Sequence, residues 1–419
     1  MAVPAVTFDP TDRAFIADPY PALASLREAA AVHHDASLRR YFVTRHAEVR
    51  ACLRDRRLGR NFRHVGSEGE FNAKPLDPRW QDFWDVERWS LLFIEPPDHT
   101  RIRKLVASAF TPRAVEAMRE PARQLAHELL DRCLERGRFD LLYDFAQPYS
   151  ITLICRLLGV PTDRHRDLLD WSHRHVKMYE FDTTEEQALS AARAASEFRA
   201  YVLELIEERR RSPRDDMISA LVAARVDGDD LSDDEIVSTV VVLLNAGHEA
   251  TVNTLGDGVR ALLRRPEEWR RLVSGEVAPA TAVEELIRFD PPLQLFERWV
   301  LADGVEIAGV AVPRGEVISM LFGSANRDPR VFPDADVLDV GRPNAGEHIG
   351  FGGGIHVCIG APLARIELEA SLRALVERAP GLELVGEPAR VPAFVIRGFR
   401  AVEVESRAGA AAVVSTVTR

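Results

Sequence analysis

The 419-residue chain carries 54 Lys and Arg against 65 Asp and Glu, a net charge of -11 at pH 7, with 46% hydrophobic and 28% charged residues. Such a balance belongs to an ordinary globular protein rather than a disordered or fibrous one, and the negative total argues against nucleic acid or anionic membrane as a partner. The opening MAVPAVTFDPTDR has no apolar run long enough for a signal peptide or membrane anchor, so a cytoplasmic location is expected.

Taken in chain order, apolar residues at helical spacing predict helices in PYPALASLREAA (19–30), across residues 99–137, in AARAASEFRAYVLELIEERRRS (191–212) and from about Ser232 to Arg265. Strand signals are short and gather late, in residues 298–321 and 382–399, where Gly-containing turns separate β-branched runs. The expected fold class is mainly α with small β-sheets. No linker rich in Pro, Gly or Ser divides the chain, so one domain over 1–419 is expected, with ragged ends at about 1–10 and 407–419. Cys52, Cys133, Cys155 and Cys358 share no CxxC spacing, which argues against a disulfide framework or structural zinc. The first three read as packed thiols.

The helix from Ser232 has a legible start, because Ser232 and Glu235 stand at capping-box spacing, and a legible end at Arg264, Arg265 and Pro266. Roughly 33 residues at about 1.5 Å each span about 50 Å, the width of a domain. Its middle, NAGHEATVNT (245–254), sets Gly247, His248 and Glu249 within an apolar run. A packing glycine beside a satisfied polar pair explains that stretch as well as a functional site does.

FGGGIHVCIGAPLARIELEASLRALVERAP (351–380) separates the two readings. Pro362 suits a helix start, so Cys358 lies in a glycine-rich turn before a helix N-terminus, where backbone N–H groups favour thiolate. A thiolate there serves as nucleophile or as metal ligand. His356, two residues away in a tight loop, is poorly placed as a base. One thiolate with glycines making room fits a haem iron ligand better, because a porphyrin supplies the four equatorial donors itself.

At this point the sequence closely resembles the cytochrome P450 superfamily, in particular its soluble bacterial members. FGGGIHVCIG matches the family's cysteine loop, including Phe351, Gly352 and Gly360. EELIR holds the Glu-x-x-Arg pair as Glu285 and Arg288, and Arg342 matches the arginine completing that structural triad. His99 and Arg103 of HTRIR, Arg298 and His356 resemble haem-propionate ligands. Singly, most of these elements read as surface pairs or turns; their joint order carries the resemblance.

The resemblance implies the P450 fold, with a long central helix over the haem and the cysteine loop beneath it. It also implies haem b with Cys358 as axial ligand, and reductive dioxygen activation by a monooxygenase. With no flavin or iron–sulfur signature in the sequence, a separate ferredoxin and ferredoxin reductase are expected as electron donors. Arg103, Lys104, Arg113 and Arg365 are candidates for their docking patch, and a monomer is expected. NAGHEATVNT resembles the oxygen-side helix motif, with Gly247 giving oxygen room and Glu249 as the acid of a proton relay. The family's threonine position falls on Ala250, and Thr251 stands about 100° around the helix. Three routes around that gap are a substrate hydroxyl or a water it orders, a local helix shift turning Thr251 inward, or a reaction tolerant of leaky proton delivery; the first is favoured.

By family position, Val242, Asn245, Ala246, Leu293, Gln294, Leu295 and Phe394 are candidate substrate contacts. Phe62, Phe71, Trp80, Phe83, Trp84 and Trp89 belong to the segment covering the pocket. Polar Asn245 favours an oxygenated natural product, steroid or terpenoid, hydroxylated or epoxidised. The alternatives are a P450 that couples peptide or aromatic substrates oxidatively, a haem-thiolate sensor or electron carrier, and a cysteine hydrolase.

Overall fold

The structure, a computed structural model, describes residues 4, 6 and 8–406. The fold is organised on the central helix Asp233–Leu263, 31 residues long. Both arms of its capping box form: Ser232 Oγ accepts from the Glu235 amide at 3.3 Å, and Glu235 Oε2 accepts from the Ser232 amide at 2.8 Å. Pro266 opens the next helix, Pro266–Val273. Nearly every side of the central helix is covered, by helices Gln147–Leu158, Glu185–Arg211, Pro279–Phe289 and Ala361–Arg378 among others. An all-round apolar sequence requires such burial.

The predicted helix over 99–137 is three helices, Asp98–Ala109, Pro112–Glu116 and Arg119–Leu134. Thr111 caps the second, accepting from the Ala114 amide at 3.1 Å, and Pro112 in its first turn cannot continue the preceding helix. The helix predicted from 191 begins at Glu185, where Thr184 and Gln187 form a second capping box. Helix Gln147–Leu158 closes on Gly159 at φ +82°, where an added Cβ would meet Asp216 Oδ2 at 2.2 Å.

Strands do not gather only late in the chain. Val32–Asp35 and Arg40–Val43 form a hairpin, and Arg40–Val43 pairs in parallel with Val317–Leu321, Phe42 opposite Ser319. Leu295–Val300 pairs with the other side of Val317–Leu321 and carries Leu58–Gly59 at the edge. These early strands are too short to show alternation, and a distant strand completes them. In 382–399 only Leu382–Leu384 is a regular strand, paired with Glu403–Ser406; Pro388 and Pro392 remove ladder donors from the rest.

Of the ends expected to be ragged, residues 1–3, 5, 7 and 407–419 lie outside the described residues. Pro4 and Val6 pair through their backbones with His34, and Phe8 is buried against Phe42 and Phe394, so this part of the N-terminus belongs to the core. Among the described residues no helix is long and apolar enough to cross a membrane.

Candidate functional site

The turn bearing Cys358 is shaped by its glycines. Gly352 and Gly354 adopt φ of +69° and +67°, and a Cβ on Gly354 would stand 2.1 Å from the Leu53 carbonyl oxygen, so only glycine fits. The Cys358 amide donates to the Phe351 carbonyl at 2.9 Å, and helix Ala361–Arg378 starts three residues later with Pro362 in its first turn. Cys358 keeps accessible surface although protein surrounds most of its thiol. Burial pushes that thiol up, against the Gly360 and Ala361 amides and the charges of Arg103 and Arg365, which favour thiolate. Cys52, Cys133 and Cys155 are buried, and burial pushes Cys52 and Cys155 up to about 12, as inert packed thiols.

Beside this turn lies a cluster short of negative charge. The His99 and His356 rings stand 4.3 Å apart, and His356 is held between the Leu91 carbonyl at 3.2 Å and Glu95 Oε1 at 3.1 Å. Both His99 ring nitrogens are buried without a partner, and burial lowers its pKa to about 4. Arg298 is 2% exposed and, among the described residues, meets no carboxylate within ion-pair range; burial, then Arg60, lower it to about 9. Arg103 donates to the Val357 carbonyl at 2.6 Å. Orphaned imidazole nitrogens and a nearly uncompensated guanidinium beside an available thiol suit a carboxylate-bearing, thiolate-ligated porphyrin, so the donor set fits haem.

On the central helix, Ala246 and Ala250 are exposed, one turn apart on one face. At Gly247 the position of the missing Cβ lies 3.3 Å from Ile154 Cδ1, so the glycine lets helix Gln147–Leu158 approach. Thr251 is buried and donates to the Gly247 carbonyl at 3.1 Å within an unbroken helix, away from the Ala250 face. Burial raises the Glu249 carboxyl, opposed by His173 and Lys177.

Sequence reasoning missed Glu367. It is 2% exposed on helix Ala361–Arg378, and burial raises it to about 8 against hydrogen bonds with Thr251 and Ser150. Ser150 Oγ lies 3.5 Å from Glu367 Oε2 and 3.3 Å from the Gly247 carbonyl. A signal existed: Glu367 stands one helical turn from both Leu363 and Ser371, on the buried stripe.

The candidate substrate contacts separate into two groups. Asn245 is 4% exposed on the central helix with neither amide atom hydrogen-bonded, and Val242 lies one turn earlier. Leu295 and Phe394 instead pack with Phe8, Ile16 and Leu23, and Gln294 donates to Tyr20 Oη at 3.2 Å and to the Pro291 carbonyl at 2.7 Å. The hydrophobicity of Leu295 and Phe394 thus serves a core closed by the N-terminal segment. Partly buried Leu293 touches the same core. In the covering segment, Phe62 and Phe71 stack at 4.6 Å beside Trp299 and Phe83 packs on His175, all as core; Trp80, Trp84 and Trp89 are half-buried.

Glu285 and Arg288 meet in two bonds of 2.6 and 2.8 Å, both fully buried, and Arg342 joins Glu285 at 3.2 Å. Of the basic patch, Arg365 is engaged by Glu284 and Lys104 by Asp227, while Arg113 is exposed.

Residues 63–274 and 280–378 match the cytochrome P450 family. Nocardicin C N-oxygenase of Nocardia uniformis subsp. tsuyamanensis is 42% identical over 84% of this chain and 85% of its own length. Mycinamicin IV hydroxylase/epoxidase of Micromonospora griseorubida is 40% identical over 82% and 83%. The crystal structure of P450BioI in complex with an acyl carrier protein bearing hexadec-9Z-enoic acid superposes with a TM-score of 0.87 at 32% identity, covering 94% of this chain and 100% of that one. With the cysteine turn, the His99–Arg298 cluster and the central helix in the same frame, this chain belongs to the cytochrome P450 family of haem-thiolate proteins and is a P450 monooxygenase.

Proposed function

We propose that this monooxygenase hydroxylates or epoxidises a small hydrophobic natural product that already carries oxygen, a polyketide, terpenoid or steroid. A hydroxyl of that substrate, or a water it orders, completes proton delivery. Ala250 carries this reading: its methyl faces accessible space where a hydroxyl is needed, while the neighbouring Thr251 is engaged with the Gly247 carbonyl and Glu367. The unpaired amide of Asn245 supports an oxygenated substrate, since a buried amide without partners is costly. Relatives named for mycinamicin IV and nocardicin C agree with a natural product.

In this reading Cys358 ligates haem b, and His99, Arg103, Arg298 and His356 hold its propionates. Bound on this thiolate, haem supplies reductive activation of dioxygen. Glu249, whose carboxyl burial raises above its ordinary value, is the acid of the proton relay. Glu367 holds a second proton at neutral pH; its O–H then donates to Ser150, whose hydroxyl donates to Gly247. Val242, Asn245, Ala246 and Leu293 orient the substrate. Electrons come from a separate ferredoxin and its reductase, docking beside the cysteine turn, where Ile359, Pro362 and Arg365 line a groove of about 590 Å³.

The test is Ala250→Thr, reading product formed per reducing equivalent on the natural substrate. No gain, or a loss through steric conflict with the substrate hydroxyl, is expected. A large gain contradicts substrate assistance.

A further inference from the structure

Behind the Ala250 face, the central helix meets helix His165–His175, and three chemistry-bearing side chains converge there. One ligand atom from each of His173, His248 and Glu249 lies within 4.8 Å of the others. His173 Nε2 is 3.4 Å from Glu249 Oε1, inside ion-pair range but without hydrogen-bond geometry, because Glu249 Oε1 is buried and unpartnered. His248 is 1% exposed, and its Nδ1 is likewise buried with no partner. All three border a cavity of about 220 Å³ that Lys177, Glu180 and Asn253 also line.

An ion pair between His173 and Glu249 leaves the cost of the orphaned His248 nitrogen unexplained, since a buried polar atom without a partner is destabilising. Two imidazole nitrogens and one carboxylate oxygen form a donor set of open zinc sites, in which a fourth position is left to water or ligand. Bonds of about 2.0 to 2.2 Å draw tetrahedral donors closer together than these stand. The ligand able to close that gap is His173, whose side chain is 45% exposed and free to change rotamer. Lys177 and Arg400 on the cavity wall oppose a cation here, and Glu249 and Glu180 favour one, although Glu180 already accepts from the backbone amides of Phe394, Val395 and Ile396.

We propose that His173, His248 and Glu249 bind one Zn²⁺, with its open position toward this cavity, and that the bound ion removes Glu249 from proton handling. The site stands on its geometry; the inhibitory consequence rests on Glu249 being the acid of the proposed function.

The test uses haem-loaded protein stripped of adventitious metal with EDTA and titrated with Zn²⁺ against a fluorescent zinc chelator. One equivalent is expected to bind, and His173→Ala, altering a half-exposed side chain, is expected to weaken it about tenfold or more. Diffraction at the zinc absorption edge is expected to put one peak between the three side chains. Zn²⁺ is expected to lower product per reducing equivalent in the wild type but not in His173→Ala, with the Soret band unchanged in both. No stoichiometric binding, or equal affinity in His173→Ala, overturns the site. Binding that depends on His173 but leaves the product yield unchanged upholds the site and overturns the role given to Glu249.

Discussion

At position 250 a methyl faces accessible space, and the nearest hydroxyl in sequence, on Thr251, stands about 100° around the helix and is spent on buried partners. That offset was legible because helical periodicity alone separates the two faces. The partner of Thr251 was not legible, because Glu367 arrives from a distant helix. Its burial predicts a pH dependence. The folded value of about 8 lies above the ordinary 4.5, so the stability tied to its neutral form is fully present below about pH 4.5 and is lost as pH rises through 8. Glu367→Gln, which keeps a hydrogen-bonding side chain, is expected to gain stability relative to wild type between pH 5 and 9, read by urea unfolding across that range. Parallel alkaline limbs would show that Glu367 ionises freely in the fold.

Among the elements, helix Pro279–Phe289 shows what spacing does and does not give. Glu285 and Arg288, three apart, announce a pair on one face. Their complete burial follows only when Arg342 and the carbonyls of Asn326 and Ala335 close around them. Removing one member leaves a buried charge short of partners, so Arg288→Leu is expected to cost about 3 to 5 kcal/mol in urea unfolding, with loss of haem retention. A cost below about 1 kcal/mol would mean that the triad is dispensable. The central helix was readable from end to end because its capping box and terminal Arg–Arg–Pro are local signals. Strands Val32–Asp35 and Arg40–Val43 were not, because their order depends on pairing with Val317–Leu321, far along the chain. For the same reason the packing of Leu295 and Phe394 against the N-terminal segment with Phe8 was not legible.

Across the molecule, the site is assembled from segments that no local pattern joins. His99, Arg298, His356 and Cys358 come from a helix, a strand and the cysteine turn, and converge around a place short of negative charge. The resemblance to cytochrome P450 named these residues in advance; the unpaired nitrogens of His99, Glu95 as partner to His356, and Arg60 beside Arg298 emerge only from the fold. The central claim is that this cluster and Cys358 hold a thiolate-ligated haem. It is tested most directly by the absorption spectrum of the reduced, haem-supplied protein under carbon monoxide. The account predicts the strongly red-shifted Soret band of thiolate ligation in the wild type and its loss in a folded Cys358→Ser variant. A well-folded wild type without that band, or a variant that retains it, would contradict the account.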